Sequence, residues 1–326
     1  MGFRVIKTAV ATVLSIFIAH MLGISAPLSA GLLAILGVDV TRKRSITTVS
    51  SRFFASILGL SLSFVLFYVF GFHIWVLAVY ILVGFPLISK ANFKEGIVTS
   101  SVVVFRVYGG TELSFNIMFT QVMLLLIGLG SAMLVNLIYM PKEEDKLTEI
   151  RRNVDGLFAD IFSRIACQLR NPAFAWDGKE ITQANEMIES GLSTAKRALD
   201  NQLISPNEAW TIYFYMRKEQ LHRIESMLQL ISQVYQKMPQ GESAAVLFDQ
   251  LSHDVTIEIY TGNTEQMLGE LEKEYARMEL PHSREEFEVR SAILQLLREL
   301  SLYLQTSRKS KNAFGHPIVE RVVPSE

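Results

Sequence analysis

Apolar residues run through the first 140 positions in blocks too long and too unbroken for a soluble domain. The blocks cover 5–24, the stretch after Pro27 (LSAGLLAILGV), 46–70, 73–88, 97–108 and 115–140. A bilayer core about 30 Å thick takes ~20 helical residues. The first, third and sixth blocks exceed that length, the fourth just reaches it, and the second and fifth are short. The pattern predicts six spanning helices joined by short polar breaks. Arg4 and Lys7 ahead of the first block would also suit a cleaved signal. Its small-residue site at Ile24-Ser25-Ala26 is followed by Pro27, however, so we read the block as a retained first span.

After Pro141 the pattern changes. Leu147, Ile150, Val154, Leu157, Ile161, Ile165 and Leu169 recur every three or four residues, the signature of an amphipathic helix that ends at Asn171-Pro172. Further helices are expected over 178–201, from Ser205-Pro206-Asn207-Glu208 to Pro239, over 242–260 and 264–279, and from the capping box Ser283–Glu286 to about 307. No stretch alternates as a strand does. The predicted fold class is all-α, with a six-span transmembrane domain over 1–141 and a cytoplasmic helical bundle over 142–310. Residues 311–326 are expected to form a disordered tail.

Charge sharpens this division. Residues 1–141 hold 9 Lys+Arg and 3 Asp+Glu, and the rest of the chain holds 22 and 29, so a net charge of −1 conceals +6 and −7. With six alternating helices, Arg4, Lys7, Arg42, Lys43, Arg44, Arg52, Lys90 and Lys94 fall on one side, and Arg106 on the other. The positive-inside rule puts both termini in the cytoplasm. Arg42, Lys43 and Arg44 then form a loop at the lipid headgroups, where they fix topology.

Chemistry is sparse. Cys167, the single cysteine, excludes an internal disulfide framework and is expected to be a small core hydrophobe. His253-Asp254 lacks the residues that follow a phospho-acceptor histidine, and His253 is read as a surface histidine on a bundle helix. His222, His282 and His316 form no metal spacing with it. No phosphate-binding GxxxxGK[ST] loop or GxSxG elbow is present. We therefore expect no enzyme, no metal site and no cofactor. Polar residues inside the apolar blocks carry more information, since charge there is costly. Asp39 and Arg52 read first as an interfacial pair orienting two helices, and Arg106 as an outer-headgroup anchor. His20, Gln121 and Asn136 read as helix–helix hydrogen bonders. The two short blocks occupy matching places in two three-helix halves, which points to an inverted-repeat transporter.

The segment APLSAGLLAILGVDVTRKRSITTVSSRFFASILGLSL resembles the aromatic acid exporter family, within the broader fusaric-acid-resistance group. The resemblance rests on a short second span (27–40), a basic loop (Arg42–Arg44), Arg52 and Gly59. Residues 142–326 resemble the helical cytoplasmic domain of the Gram-positive members. The resemblance implies proton-coupled export of aromatic carboxylates across a bacterial plasma membrane.

The expected function is a secondary exporter of aromatic carboxylic acids or related organic anions. Arg52 or Arg106 would bind the carboxylate and Asp39 would carry the proton. The expected partners are the bilayer, small aromatic anions and further copies of the chain, with no nucleic acid. The alternative is a non-transporting membrane sensor or scaffold whose bundle, 142–310, binds a cytosolic protein.

Overall fold

The computed structural model describes residues 3–140 and 143–314. The described chain is helical and divides into two compact units. The first is Met1–Pro141 with Asp200–Pro206, and the second is Lys142–Leu199 with Asn207–Glu326.

Six helices build the first unit: α1 (Phe3–Met21), α2 (Leu28–Gly37), α3 (Arg42–Phe70), α4 (Ile74–Lys90), α5 (Ile97–Gly110) and α6 (Phe115–Ile138). Among the described residues, three stretches are long and apolar enough to cross a bilayer, Arg4–Met21, Arg42–Phe70 and Phe115–Ile138. This corrects the expectation of six spanning helices, and local chemistry gives the reason. α2 is held to 10 residues between Pro27 and an extended Val38. α5 starts after a 3-10 turn, Lys94–Gly96, and stops after 14 residues at a left-handed Thr111. α4 has 17 residues. Thr41 caps α3 through the Arg44 N–H, and Ser114 caps α6 through the Asn116 N–H.

Contacts give each helix a direction. Gly128 on α6 sits against Ala30 and Leu33 of α2, and Gly37 of α2 sits against Leu129 and Ala132, so α2 and α6 run parallel. Thr48 meets Glu95, and Gly59 meets Ser100, so α3 runs parallel to the turn and α5. α1 runs against α2, with Lys7 at Asp39 and Thr12 at Gly31, and against α6, with Lys7 at Asn136. α4 runs against α3, with Trp75 at Phe70 and Gly84 at Leu62. The six helices therefore alternate in direction. Exchanging α1–α3 with α4–α6 maps the α2–α6 packing onto α5–α3 and the α1–α6 packing onto α4–α3. The close α1–α2 packing has only a weak counterpart in α4–α5.

The second unit comprises α7 (Glu144–Arg170), α8 (Lys179–Asn201), α9 (Ala209–Ile231), α10 (Pro239–Thr256), α11 (Asn263–Arg277) and α12 (Arg284–Phe314). α7 packs on α10, and α9 on α12. Phe162 of α7 lies at the centre of the core, against Phe248 and Tyr303. Cys167 is exposed, which corrects its assignment to the core: Ile165, Ala166 and Leu169 hold that face of α7. α12 continues through Phe314, past the expected start of the tail at 311. Residues 315–326, the rest of that expected tail, lie outside the described residues.

Candidate functional site

The polar residues of the first unit gather at one end. Lys7 is buried there. Its Nζ donates to Asn136 Oδ1 at 3.2 Å and lies 3.5 Å from the Asp39 carbonyl oxygen and 3.4 Å from Met140 Sδ. Asn136 Nδ2 donates to Ser45 Oγ at 2.9 Å, tying α6 to α3. The start of α1, the start of α3 and the end of α6 thus share one end of the unit. Asn136 does the helix–helix bonding its sequence context suggested.

Asp39 sits just past the end of α2, with its side chain 13% exposed. Oδ1 accepts the Val40 N–H at 2.8 Å and faces Arg44 Nε at 3.3 Å. Oδ2 lies 2.9 Å from Thr48 Oγ1, and Glu95 Oε2 lies 2.9 Å from the same hydroxyl. A threonine hydroxyl has one hydrogen to donate. The two carboxylates therefore compete for a single donor.

The expected Asp39–Arg52 pair is not formed. Asp39 lies beyond α2, after the extended Val38, and its carboxylate meets Arg44 and Thr48 at the start of α3. Arg52, one turn beyond Thr48, is half-buried. Its Nε is enclosed and has no hydrogen-bond partner, and the acidic charges acting on it are Glu95 and then Asp39. Arg106 is half-buried near the far end of α5, with Nη1 enclosed and unpartnered. Eleven helical residues separate it from Glu95, roughly 16 Å at 1.5 Å per residue. The structure brings Asp39 and Arg52 into one region and leaves Arg106 out. Arg42 is half-buried with an unpartnered Nε, while Lys43 and Arg44 are exposed. His20 is exposed and Gln121 is buried.

Sequence reasoning missed Glu95, Thr48 and the burial of Lys7. Glu95 was findable as one of three acidic residues among the first 141.

In the bundle, His253 is exposed, and Asp254 is buried. Asp254 Oδ2 accepts the Thr264 N–H at 3.3 Å and its hydroxyl at 2.7 Å, anchoring the start of α11. Its role is structural. Arg217, 3% exposed, pairs with Asp155 and donates to Tyr213 Oη and Gln220 Oε1, both at 2.8 Å. Among the described residues, no three His, Cys, Asp or Glu side chains converge as a metal site requires.

Long apolar helices with an ionic cluster at one end define an all-helical membrane protein. The chain belongs to the aromatic acid exporter family. Residues 1–140 match the model of aromatic acid exporter family member 1, and residues 144–308 match that of the aromatic acid exporter C-terminal domain. The family is one of transporters rather than of enzymes. The chain is 34% identical over 307 residues to the uncharacterized protein YqjA of Bacillus subtilis (strain 168), covering 93% of this chain and 94% of that protein. It is 27% identical over 151 residues to the UPF0421 protein YgaE of the same organism, covering 45% and 42%. A crystal structure from Clostridium difficile 630, described as that of a membrane protein, aligns with a TM-score of 0.48 and 22% identity, over 52% of this chain and 99% of that one.

Proposed function

We propose that this protein is a secondary exporter of aromatic carboxylic acids in a bacterial plasma membrane, with both ends of its apolar unit cytoplasmic. One observation carries the reading. Among the described residues, three guanidinium groups, Arg42, Arg52 and Arg106, lie half-buried in an apolar helical unit, each with an enclosed N–H that has no acceptor, and of these Arg42 alone donates elsewhere, to the Asn201 carbonyl oxygen at 3.5 Å. A buried donor left unmet costs about 1–3 kcal/mol, more when charged. Such a group supplies what a carboxylate needs when one arrives. The eight-to-one distribution of cations supports the orientation, as does the meeting of Lys7 with Asn136 and Met140.

Between the three long helices, the chain returns through α2, α4 and α5. Asp39 is the proton carrier in this reading, with Glu95 as its partner through Thr48. The transporter is a homo-oligomer, since six short helices enclose little space alone. Arg42, Lys43 and Arg44 serve orientation and headgroup contact.

The test is accumulation of an aromatic acid in cells expressing Asp39→Asn or Arg52→Ala at wild-type protein levels. Both variants are expected to retain the acid. Unchanged efflux in both would remove these assignments. A membrane sensor whose bundle binds a cytosolic partner predicts instead a phenotype that persists without any flux.

A further inference from the structure

The two three-helix halves supply an internal comparison, because they meet in two parallel helix pairs, each with one helix from each half: α2 with α6, and α5 with α3. Both seams are tightly packed: an added Cβ at Gly128 would lie 2.6 Å from the Ala30 carbonyl oxygen in the α2–α6 seam, and one at Gly96 would run into Ala55 Cβ at the start of the α3–α5 seam. The α2–α6 seam is lined by Ala30, Ala34 and Ala132, all fully buried.

The α3–α5 seam is built from different chemistry. Thr48 and Glu95 meet at its start, and the two chains run in the same direction from there. One turn on, residue i+4 of each chain takes the same side: Arg52 follows Thr48, and Thr99 follows Glu95. Ser56 lies one turn beyond Arg52. Thr99 and Ser56 are 0% exposed, yet neither Thr99 Oγ1 nor Ser56 Oγ has a hydrogen-bond partner, and Arg52 Nε is enclosed without one. This departs from the habit of the same unit. A helical Ser or Thr normally returns its hydrogen to the preceding turn. Thr8, Thr12, Ser61, Ser101 and Thr120 all do so here. Three unmet donors on successive turns of one seam are what a carboxylate accepts, by charge from the guanidinium and by hydrogen bonds from the hydroxyls. Past them come Leu60 and Val103, buried and apolar, suited to a ring.

We propose that the α3–α5 seam parts to take the carboxylate of an aromatic acid onto Arg52, Thr99 and Ser56, while the α2–α6 seam stays closed. The proposal rests on the exporter reading for its ligand and goes beyond it in selecting Arg52 over Arg106 and adding the two hydroxyls.

The probe is benzoate, with benzylamine as the cationic control, on full-length protein. Thr99→Val removes the hydroxyl and keeps the shape. It is expected to weaken benzoate binding roughly tenfold, the worth of a hydrogen bond to a charged group, while raising the melting temperature of the unliganded protein. A merely structural hydroxyl gives the reverse, a lower melting temperature with binding unchanged, and that result overturns the site. In a Cys167→Ser background, Ser56→Cys and Ala132→Cys report on the two seams in liposomes. A membrane-impermeant thiol reagent is expected to label Ser56→Cys at least about ten times faster than Ala132→Cys, with benzoate and not benzylamine slowing it. Equal labelling overturns the parting of one seam, and labelling that benzoate does not slow overturns the carboxylate site. Flux in the same liposomes is read separately: benzoate protection without flux keeps the site and sinks the exporter.

Discussion

Thr48 brings one hydrogen to two carboxylates, and this small mismatch has consequences for anion binding. The charges around the pair are Arg44 and Arg52 on α3 and Lys7 on α1. An anion that occupies Arg52 competes with Glu95 and Asp39 for its charge. Glu95→Gln removes one competitor and is expected to bind benzoate at least about fivefold more tightly, a typical coupling between sites. Benzoate titration of wild type and variant side by side checks this, and equal affinities would contradict it. In the bundle, Arg217→Ala leaves Asp155 buried without its guanidinium. It is expected to cost about 3–5 kcal/mol, seen as a large fall in the melting temperature of the second unit. Burial, above all, pushes the Tyr213 hydroxyl up to about 12. Above about pH 10 the unfolded chain gives up that proton and the folded one keeps it, so stability falls as pH rises toward 12. Tyr213→Phe is expected to flatten that part of the alkaline unfolding curve. Asp39, Arg52 and Asn136 were legible as polar residues in apolar surroundings. Their partners were not, because pairing depends on where α2 stops, and Glu95 hid in a polar break.

Helix pairing is set by small residues, and it can be tested directly. Gly128→Ala forces Cβ against the Ala30 carbonyl oxygen and Leu33 Cβ. It is expected to destabilise the first unit by about 1–3 kcal/mol. Gly130→Ala, two positions on, meets nothing within 4 Å and is expected to be tolerated. Thermal unfolding of the two variants in one detergent compares them, and equal losses would contradict the packing described. The spacing of apolar residues located α7 and the other bundle helices, since a soluble helix shows one face to a core. The capping box at Ser283 formed, with the Glu286 N–H donating to Ser283 Oγ at 3.1 Å and the carboxylate accepting the His282 N–H at 2.8 Å. The start at Ser205 was misplaced: Asn207 Oδ1 takes the Ala209 N–H at 2.9 Å, and α9 begins there. In the apolar unit, hydropathy gave the blocks and marked the second and fifth as short, but could not show where each helix ends. Extended backbone and a left-handed Thr111 decide that, and both reflect packing rather than composition.

The net charge of −1 conceals a basic apolar unit and an acidic helical bundle, and among the described residues only the first leaves buried guanidinium nitrogens without an acceptor. The exporter account therefore assigns transport to the helices before Pro141, and gives the bundle a supporting or partner-binding role. It makes a sharp demand on purified protein. Liposomes carrying the full chain, loaded with radiolabelled benzoate, should release it well above the rate of protein-free liposomes. The release should change with an imposed pH gradient and fall to background in Arg52→Ala. Release from wild-type liposomes no faster than from empty ones, or undiminished in Arg52→Ala, would contradict the account.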